Sequence, residues 1–485
     1  MLSTKNVKEK KWFVYLKIYI GMLIAYLMIM GILYYAGGEQ FKIRTSDNLI
    51  EKFPADNLVG DMVVGRYAGQ TWYNEIINLN QIGVLASNYN KELKGNLVLE
   101  LWNEDSKSLV TRKVIEPNEI RLNEYIYLEL TGDEELHKTI LTLKVYSENG
   151  IAGEAATILY NSNEEIKGGE FVLDGNHVNG SLCITTFGIE EVWAGNHYLQ
   201  LIGIGCLLWS LFYLLSVWRK EKGKREVLFS TCYAIKKYWF LIKQLVSRDF
   251  KVRYKRSMLG MMWSILNPVL MMLVQYMVFS RLFKGGIENI ALYILSGSVI
   301  FNFFTEAVNQ ALGSIVYSAS LITKVYVPKY IYPISKVLSS TVNLFISMLP
   351  LLVVMILTGE EFTKALLALP FLIICVLVFC MGIGMLLATS MVFFRDTQFL
   401  WGIFSLLWMY MTPLFYPESI MEQSLHWIFD INPMYYYVNF IRDITLHGVS
   451  PDPREYLICI LFAMGSFCVG GYIFKKNQNK FILNI

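Results

Sequence analysis

A carboxylate inside an apolar run is the first residue in this sequence that calls for a chemical explanation. Glu306 interrupts the otherwise uncharged stretch from Leu292 to Leu312, and Asn302, Asn309 and Gln310 stand one helical turn to either side. A charge at membrane depth is costly, so it faces a bundle interior, a partner group or water. Two readings follow: Glu306 lines a wet channel that passes a hydroxyl-rich solute, or it is a neutral or paired structural group. Aromatic residues cluster nearby in the sequence: Phe301, Phe303 and Phe304, then Trp401, Phe404, Trp408, Tyr410, Phe415 and Tyr416, then Tyr435, Tyr436 and Tyr437. Rings facing a pore can slide along the apolar faces of sugars; rings in lipid-facing belts are the alternative. Other chemistry is missing. No Gly-x-x-x-x-Gly-Lys-Ser/Thr phosphate loop occurs, and Leu295-Ser-Gly-Ser298 lacks the lysine and backbone cradle that hold nucleotide phosphates. The five histidines (His137, His177, His197, His426 and His447) are scattered, which gives no metal site and no catalytic group. Of the seven cysteines, only Cys183 falls in the polar block between the first two apolar segments, so that block has no internal disulfide framework.

The elements that must position these residues follow from composition. The chain has 485 residues, 54% apolar and 17% charged, with net charge +3 and mean hydropathy +0.40. A soluble chain carries about a quarter charged residues, and here the deficit lies in runs long enough to cross a bilayer at ~1.5 Å per residue over ~30 Å. Eight segments qualify: Ile18 to Ala36, Tyr198 to Trp218, Ser257 to Ser280, Leu292 to Leu312, Val337 to Thr358, Ala365 to Phe394, Thr397 to Pro417 and Tyr456 to Phe474. The near-neutral charge conceals an asymmetry. Residues 37 to 197 hold 13 Lys/Arg against 25 Asp/Glu, while residues 219 to 256 hold 13 against 3. Counting alternately through eight spans places the N-terminus, that basic segment, the Lys324 to Lys336 loop and the Lys475 to Lys480 tail on one side, which the Lys/Arg rule assigns to the cytoplasm. The first segment reads as an uncleaved anchor, its apolar run exceeding the usual signal core; cleavage before Glu39 is the alternative.

The acidic block, residues 37–197, is then extracytoplasmic. Its short runs of β-branched and aromatic residues, Gly95 to Trp102, Ser108 to Ile115, Glu124 to Leu130, Thr139 to Tyr146, Ala156 to Tyr160 and Ser181 to Phe187, are separated by turn-forming clusters and predict an antiparallel β-sandwich or jelly roll. Trp72, Tyr73, Tyr89, Trp102 and Tyr160 are candidates for stacking on sugar rings, with burial in the sandwich as the alternative for each. Past the second span (198–218), Ile235, Tyr238, Trp239, Ile242, Leu245 and Val246 recur at helical spacing while Lys236, Lys237, Lys243 and Arg248 lie off that stripe, predicting a basic helix in the headgroup plane within residues 219–256. A transport region of six spans fills residues 257–474, ahead of a cytoplasmic tail at 475–485. The overall expectation is an α-helical polytopic membrane protein of eight spans, two plus six, with an inserted all-β domain.

From Arg248-Asp-Phe-Lys-Val-Arg-Tyr-Lys-Arg256 and Trp263-Ser-Ile-Leu-Asn-Pro268 onward, the sequence resembles the membrane subunit of ABC-2-type polysaccharide exporters, those for O-antigen and teichoic acid. Leu321-Ile-Thr-Lys-Val-Tyr-Val-Pro-Lys-Tyr330, Phe393-Phe-Arg-Asp396, Met411-Thr-Pro-Leu-Phe-Tyr-Pro417 and Asn432-Pro-Met434 continue the resemblance in order. It covers residues 235 to 485, and the first 220 residues depart from the basic six-span pattern. The resemblance implies a homodimeric permease for a lipid-linked glycan, in a bacterial cytoplasmic membrane, working with two copies of a separate ATPase subunit that binds ATP and Mg; no nucleic acid and no cofactor in this chain are implied. It implies ATPase coupling through Arg248, Asp249, Phe250, Arg253 and Tyr254 and through Lys324, Tyr326, Pro328, Lys329 and Tyr330. It implies a channel past Asn302, Phe303, Phe304, Glu306, Trp401, Phe404, Trp408, Tyr410, Phe415 and Tyr416, with re-entrant helices near 415–433. Drug or lipid export on the same helices, or a membrane-anchored glycan sensor, are the competing functions.

Overall fold

The computed structural model describes residues 2–46, 55–89, 91, 93–130, 136–163, 166, 169–222, 228–254, 262–282, 289–324, 327–421, 425 and 427–484. The chain divides into two compact units, Glu39–Tyr198 and the remainder.

The first unit is all-β. A seven-stranded sheet and a six-stranded sheet are built wholly from antiparallel pairs, as expected. The longest strand, Ile76–Ser87, and its partner Ile184–Glu191 form the spine of the larger sheet; Tyr67–Tyr73, Ile140–Tyr146 and Leu97–Asn103 form that of the smaller. Period-2 alternation sends Leu97, Leu99 and Leu101 from one sheet and Ile82, Val84 and Ile184 from the other into a single core. The buried Gln70 side chain ties the sheets together: its Oε1 accepts the Leu182 backbone N–H at 3.0 Å and its Nε2 donates to the Thr71 carbonyl.

The second unit is helical. Its principal helices are α1 (Leu2–Gly37), α2 (Tyr198–Glu221), α3 (Leu228–Tyr254), α4 (Met262–Leu282), α5 (Ile290–Leu312), α6 (Ile331–Thr358), α7 (Leu369–Phe393), α8 (Thr397–Tyr410), α9 (Pro433–Arg442) and α10 (Pro453–Asn477). Local sequence sets several ends. Asn289, Asn432 and Asp452 are side-chain N-caps, the latter two followed by Pro at the first helical position, and Gly359 closes α6 in the left-handed conformation. The most enclosed span is α5, which packs against α4, α6, α7 and α9. Pro268 inside α4 has no N–H to give the Ser264 carbonyl, and Ser347 Oγ of α6 approaches that carbonyl at 3.4 Å instead.

Among the described residues seven helices, not eight, are long and apolar enough to span a membrane. The exception is Thr397 to Pro417, expected as a span. Its helix, α8, has 14 residues, about 21 Å at ~1.5 Å per residue, short of ~30 Å of hydrocarbon. The chain continues beyond it as irregular backbone from Met411 to Pro417, which hydropathy alone does not distinguish from helix.

Candidate functional site

A cleft of about 540 Å³ opens between the end of α3 and helices α4, α5 and α6. Its walls are Arg253 from α3; Trp263, Ser264, Asn267, Pro268 and Met271 from α4; Val299, Asn302, Phe303 and Glu306 from α5; and Asn343, Leu344 and Ser347 from α6. Glu306 is its electrostatic centre. One carboxylate oxygen accepts from Arg253 Nη1 at 2.6 Å, Asn343 Nδ2 at 2.7 Å and Gln310 Nε2 at 3.0 Å. Hydrogen bonds between a guanidinium and a carboxylate are about twice as strong as neutral ones. Glu306 thus lines the cleft and is paired within it.

The same ion pair joins two groups of residues that the sequence assigned to different tasks. Arg253 belongs to the coupling set and Glu306 to the channel set. A second tie lies one helical turn earlier on α3, where Asp249 accepts from Lys336 Nζ of α6 at 2.7 Å and pairs with Arg248 at 3.1 Å. Helix α3 is thus fastened to α5 and α6 by two ion pairs, with Phe250 half-buried beside them. Tyr254 ends the helix, but its side chain lies outside the described residues. Asn343, Ser347, Asn267 and Lys336 were not singled out from the sequence. The signal was available for the first three, each a polar side chain within a long apolar helix.

The channel residues do not form one surface. Asn302, Phe303 and Glu306 reach the cleft. Phe304 is fully buried, with Trp408 at 5.0 Å, Phe379 at 5.7 Å and Trp401 at 6.0 Å, all ring to ring. Phe304 and Trp401 are thus packed core among the described residues. Phe415 is also buried, stacked on Phe279 at 5.6 Å, whereas Phe404 and Tyr410 are exposed on α8.

The irregular segment after α8 is held from the first turn of α5 and from α9. Tyr293 Oη donates to the Tyr416 carbonyl at 2.9 Å, and Arg442 Nη2 donates to the Pro413 carbonyl at 2.7 Å. Arg442 is buried, its guanidinium 3.5 Å from the centre of the Tyr293 ring. Asn432 both caps α9 and clamps the end of α8, accepting from Trp408 Nε1 at 2.6 Å and donating to Thr412 Oγ1 at 2.9 Å. Glu418 accepts from Tyr435 Oη and Asn439 Nδ2. Non-helical backbone at membrane depth requires such partners, so the Met411–Pro417 and Asn432–Pro–Met motifs work as a lock and its bolt. Tyr416 is half-buried here, its hydroxyl turned to the Tyr410 carbonyl. His426 lies outside the described residues.

At the other end of α6, Lys324 is exposed, Pro328 and Tyr330 are half-buried, and Tyr326 lies outside the described residues. Lys329 is not a free basic tip: its Nζ donates to the Gln478 carbonyl at 2.6 Å, and burial lowers its pKa from the ordinary lysine value.

In the β unit the sugar-stacking candidates separate. Trp72 is 3% exposed and sits in the sandwich core, because its position on the strand Tyr67–Tyr73 points inward with Ala68 and Gln70; it cannot stack on a ligand. Tyr73, one residue on, faces out and is exposed. Trp102 is half-buried, its Nε1 donating to Glu100 and Lys144 Nζ lying 4.9 Å from its ring centre. Tyr89 is half-buried in a left-handed turn, and Tyr160 packs on Phe171.

Residues 240–446 match the sequence profile of the ABC-2 type transporter family. The chain is 28% identical over 246 residues to an O-antigen export system permease protein of Klebsiella pneumoniae, covering 50% of this chain and 93% of that one. It is 27% identical over 250 residues to the protein of the same description from Myxococcus xanthus, covering 51% and 96%. The profile begins at residue 240, inside α3, so the β unit lies outside it. Taken with the helical core around α5 and with α3 fastened to it, these similarities support a multi-pass membrane protein whose residues 240–446 are similar to the ABC-2 type transporter family.

Proposed function

We propose that this chain is the permease subunit of an ATP-driven exporter that moves a lipid-linked polysaccharide, of the O-antigen or teichoic-acid type, from the cytoplasm to the cell exterior. Two copies form the pathway, and a separate ATPase subunit, also in two copies, binds ATP and Mg. Both termini are cytoplasmic and the β unit lies outside, where Tyr73 and Trp102 offer surface to emerging glycan. The observation that carries this reading is the cleft at Glu306. Its mixed lining, polar groups beside Trp263 and Phe303, suits a sugar's hydroxyls and apolar faces, and its Arg253 is part of the helix that faces the cytoplasmic partner, so a shift of that helix acts directly on the lining. Coupling of two distant states requires a physical element that both sites bias, and α3 supplies it.

The test is deletion of the chain in its own cell. Surface glycan, labelled by periodate and hydrazide, should disappear while glycan accumulates on the cytoplasmic side, and the isolated complex should contain an ATPase subunit. Unchanged surface glycan, or ATP hydrolysis by the chain alone, would sink the proposal.

A further inference from the structure

The C-terminal segment after α10 sits where nothing in the sequence gave it a task. It turns through Gln478–Lys480 into the short helix Phe481–Asn484. Phe481 is fully buried in a cluster with Ile315, Ile322 and Tyr332 from the inner loop and its flanks, Met385, Ala388 and Val392 from α7, and Phe474 from α10. Its ring lies 5.1 Å from Phe474 and 6.3 Å from Phe393, the last residue of α7. The tail also grips the loop through polar contacts, since Lys329 Nζ donates to the Gln478 carbonyl and stands 5.8 Å from the Phe481 ring centre. One aromatic side chain therefore touches the inner loop and the ends of two spans at once.

Those two spans behave as one body. A Cβ on Gly470 of α10 would land on the Gly382 carbonyl of α7, and one on Gly382 would strike the Ser466 backbone, so the helices are in backbone contact along this seam. At the far end the same pair holds α9. Phe440 packs between Phe371 of α7 at 5.8 Å and Tyr456 of α10 at 4.9 Å, and the buried Tyr437 hydroxyl donates to the Cys459 carbonyl at 3.1 Å. Helix α9 carries Arg442, which pins the irregular segment after α8.

We propose that the C-terminal tail is the positioning element of the inner loop: Phe481 and the Gln478 carbonyl clamp the loop to the α7–α10 pair, so that displacement of the loop moves this pair and, at its other end, helix α9. The inference rests on the export reading and assigns to the tail a role in transmission rather than in docking or passage. Without the clamp, a push on the loop is spent in local motion of the two short helices Ser314–Tyr317 and Ala319–Lys324.

The experiment uses the full chain with its ATPase partner and compares Phe481→Ala, Phe481→Leu and Lys324→Glu. Phosphate release from the purified complex is read beside periodate–hydrazide-labelled glycan at the cell surface. For Phe481→Ala the complex should be recovered with phosphate release within about twofold of the parent while surface glycan falls about tenfold, in the range of couplings modulated at a distance. Phe481→Leu, which keeps apolar volume in the cluster, should restore most of the glycan. Normal glycan in Phe481→Ala, or a parallel fall of both readouts in the two Phe481 variants, would overturn the clamp. If Lys324→Glu blocks export and Phe481→Ala does not, the export reading stands and the clamp falls; if neither variant separates hydrolysis from export, both fall.

Discussion

The ion pair between Arg253 and Glu306 offers the sharpest test, because it joins helix α3 to the cleft in a single contact. The perturbation is a double-mutant cycle on Arg253→Gln and Glu306→Gln. At 2.6 Å, two unit charges near a protein surface attract strongly in a Coulomb sum, but both side chains keep about a third of their surface in contact with solvent (37% and 35%), so the pair belongs near the exposed end of the range, about 1 kcal/mol. Asn343 and Gln310 add hydrogen bonds to the same carboxylate, which survive in part when Glu306 becomes an amide. We therefore expect each single variant to lower export per ATP by roughly 5- to 10-fold, with the double variant no worse than either single, a coupling of about 1 kcal/mol. Export is read as surface glycan per phosphate released, at equal amounts of complex in the membrane. Additivity within about 0.3–0.5 kcal/mol would refute the reasoning, since the two residues would then act through separate routes and the contact would be incidental to coupling.

Two further outcomes follow from burial. Arg442→Met removes the donor to the Pro413 and Leu414 carbonyls and leaves acceptors unpaired at membrane depth, at a cost of about 1–3 kcal/mol for each group left unsatisfied; thermal unfolding of the detergent-purified chain should fall measurably, and an unchanged melting curve would mean water replaces the guanidinium. In the β unit, Trp72→Ala should destabilise by about 3–5 kcal/mol, while the neighbouring Tyr73→Ala should stay within about 0.5 kcal/mol and instead weaken retention of labelled glycan. Protease resistance of the β unit in the full chain separates the two, and equal sensitivity would contradict the inward and outward assignment.

The β unit was readable because alternation is a strong signal. Ser108–Ile115 forms with the bounds that its residues suggest, and Glu124–Glu129, Ile140–Tyr146 and Thr157–Asn161 each fall within a residue or so of expectation. The longest strand, Ile76–Ser87, was missed because Asn78, Asn80 and Gln81 break the apolar pattern, yet its pairing to three neighbouring strands makes it the spine of its sheet. Parity alone could not place Trp72 and Tyr73: adjacent residues on a strand face opposite ways, and which one enters the core depends on register.

Among the helices, hydropathy located the spans but could not say where a helix stops within an apolar run, and Thr397 to Pro417 failed for that reason. What stops α8 is distributed over Asn432, Arg442 and Tyr293, far away in sequence and each ordinary in isolation. The cost of charge in an apolar setting flagged Glu306, but cost does not name a partner. Arg253 stood out only through the family resemblance, among five residues of its segment implied for ATPase coupling, and nothing in the sequence paired it with Glu306. The fold selects it because α3 ends where α5 presents Glu306, so the residue that reports the position of α3 is also the one that pairs with the carboxylate of the cleft. A helix fastened in this way cannot move as a body without either breaking that contact or carrying α5 with it, and both routes change the lining of the cleft.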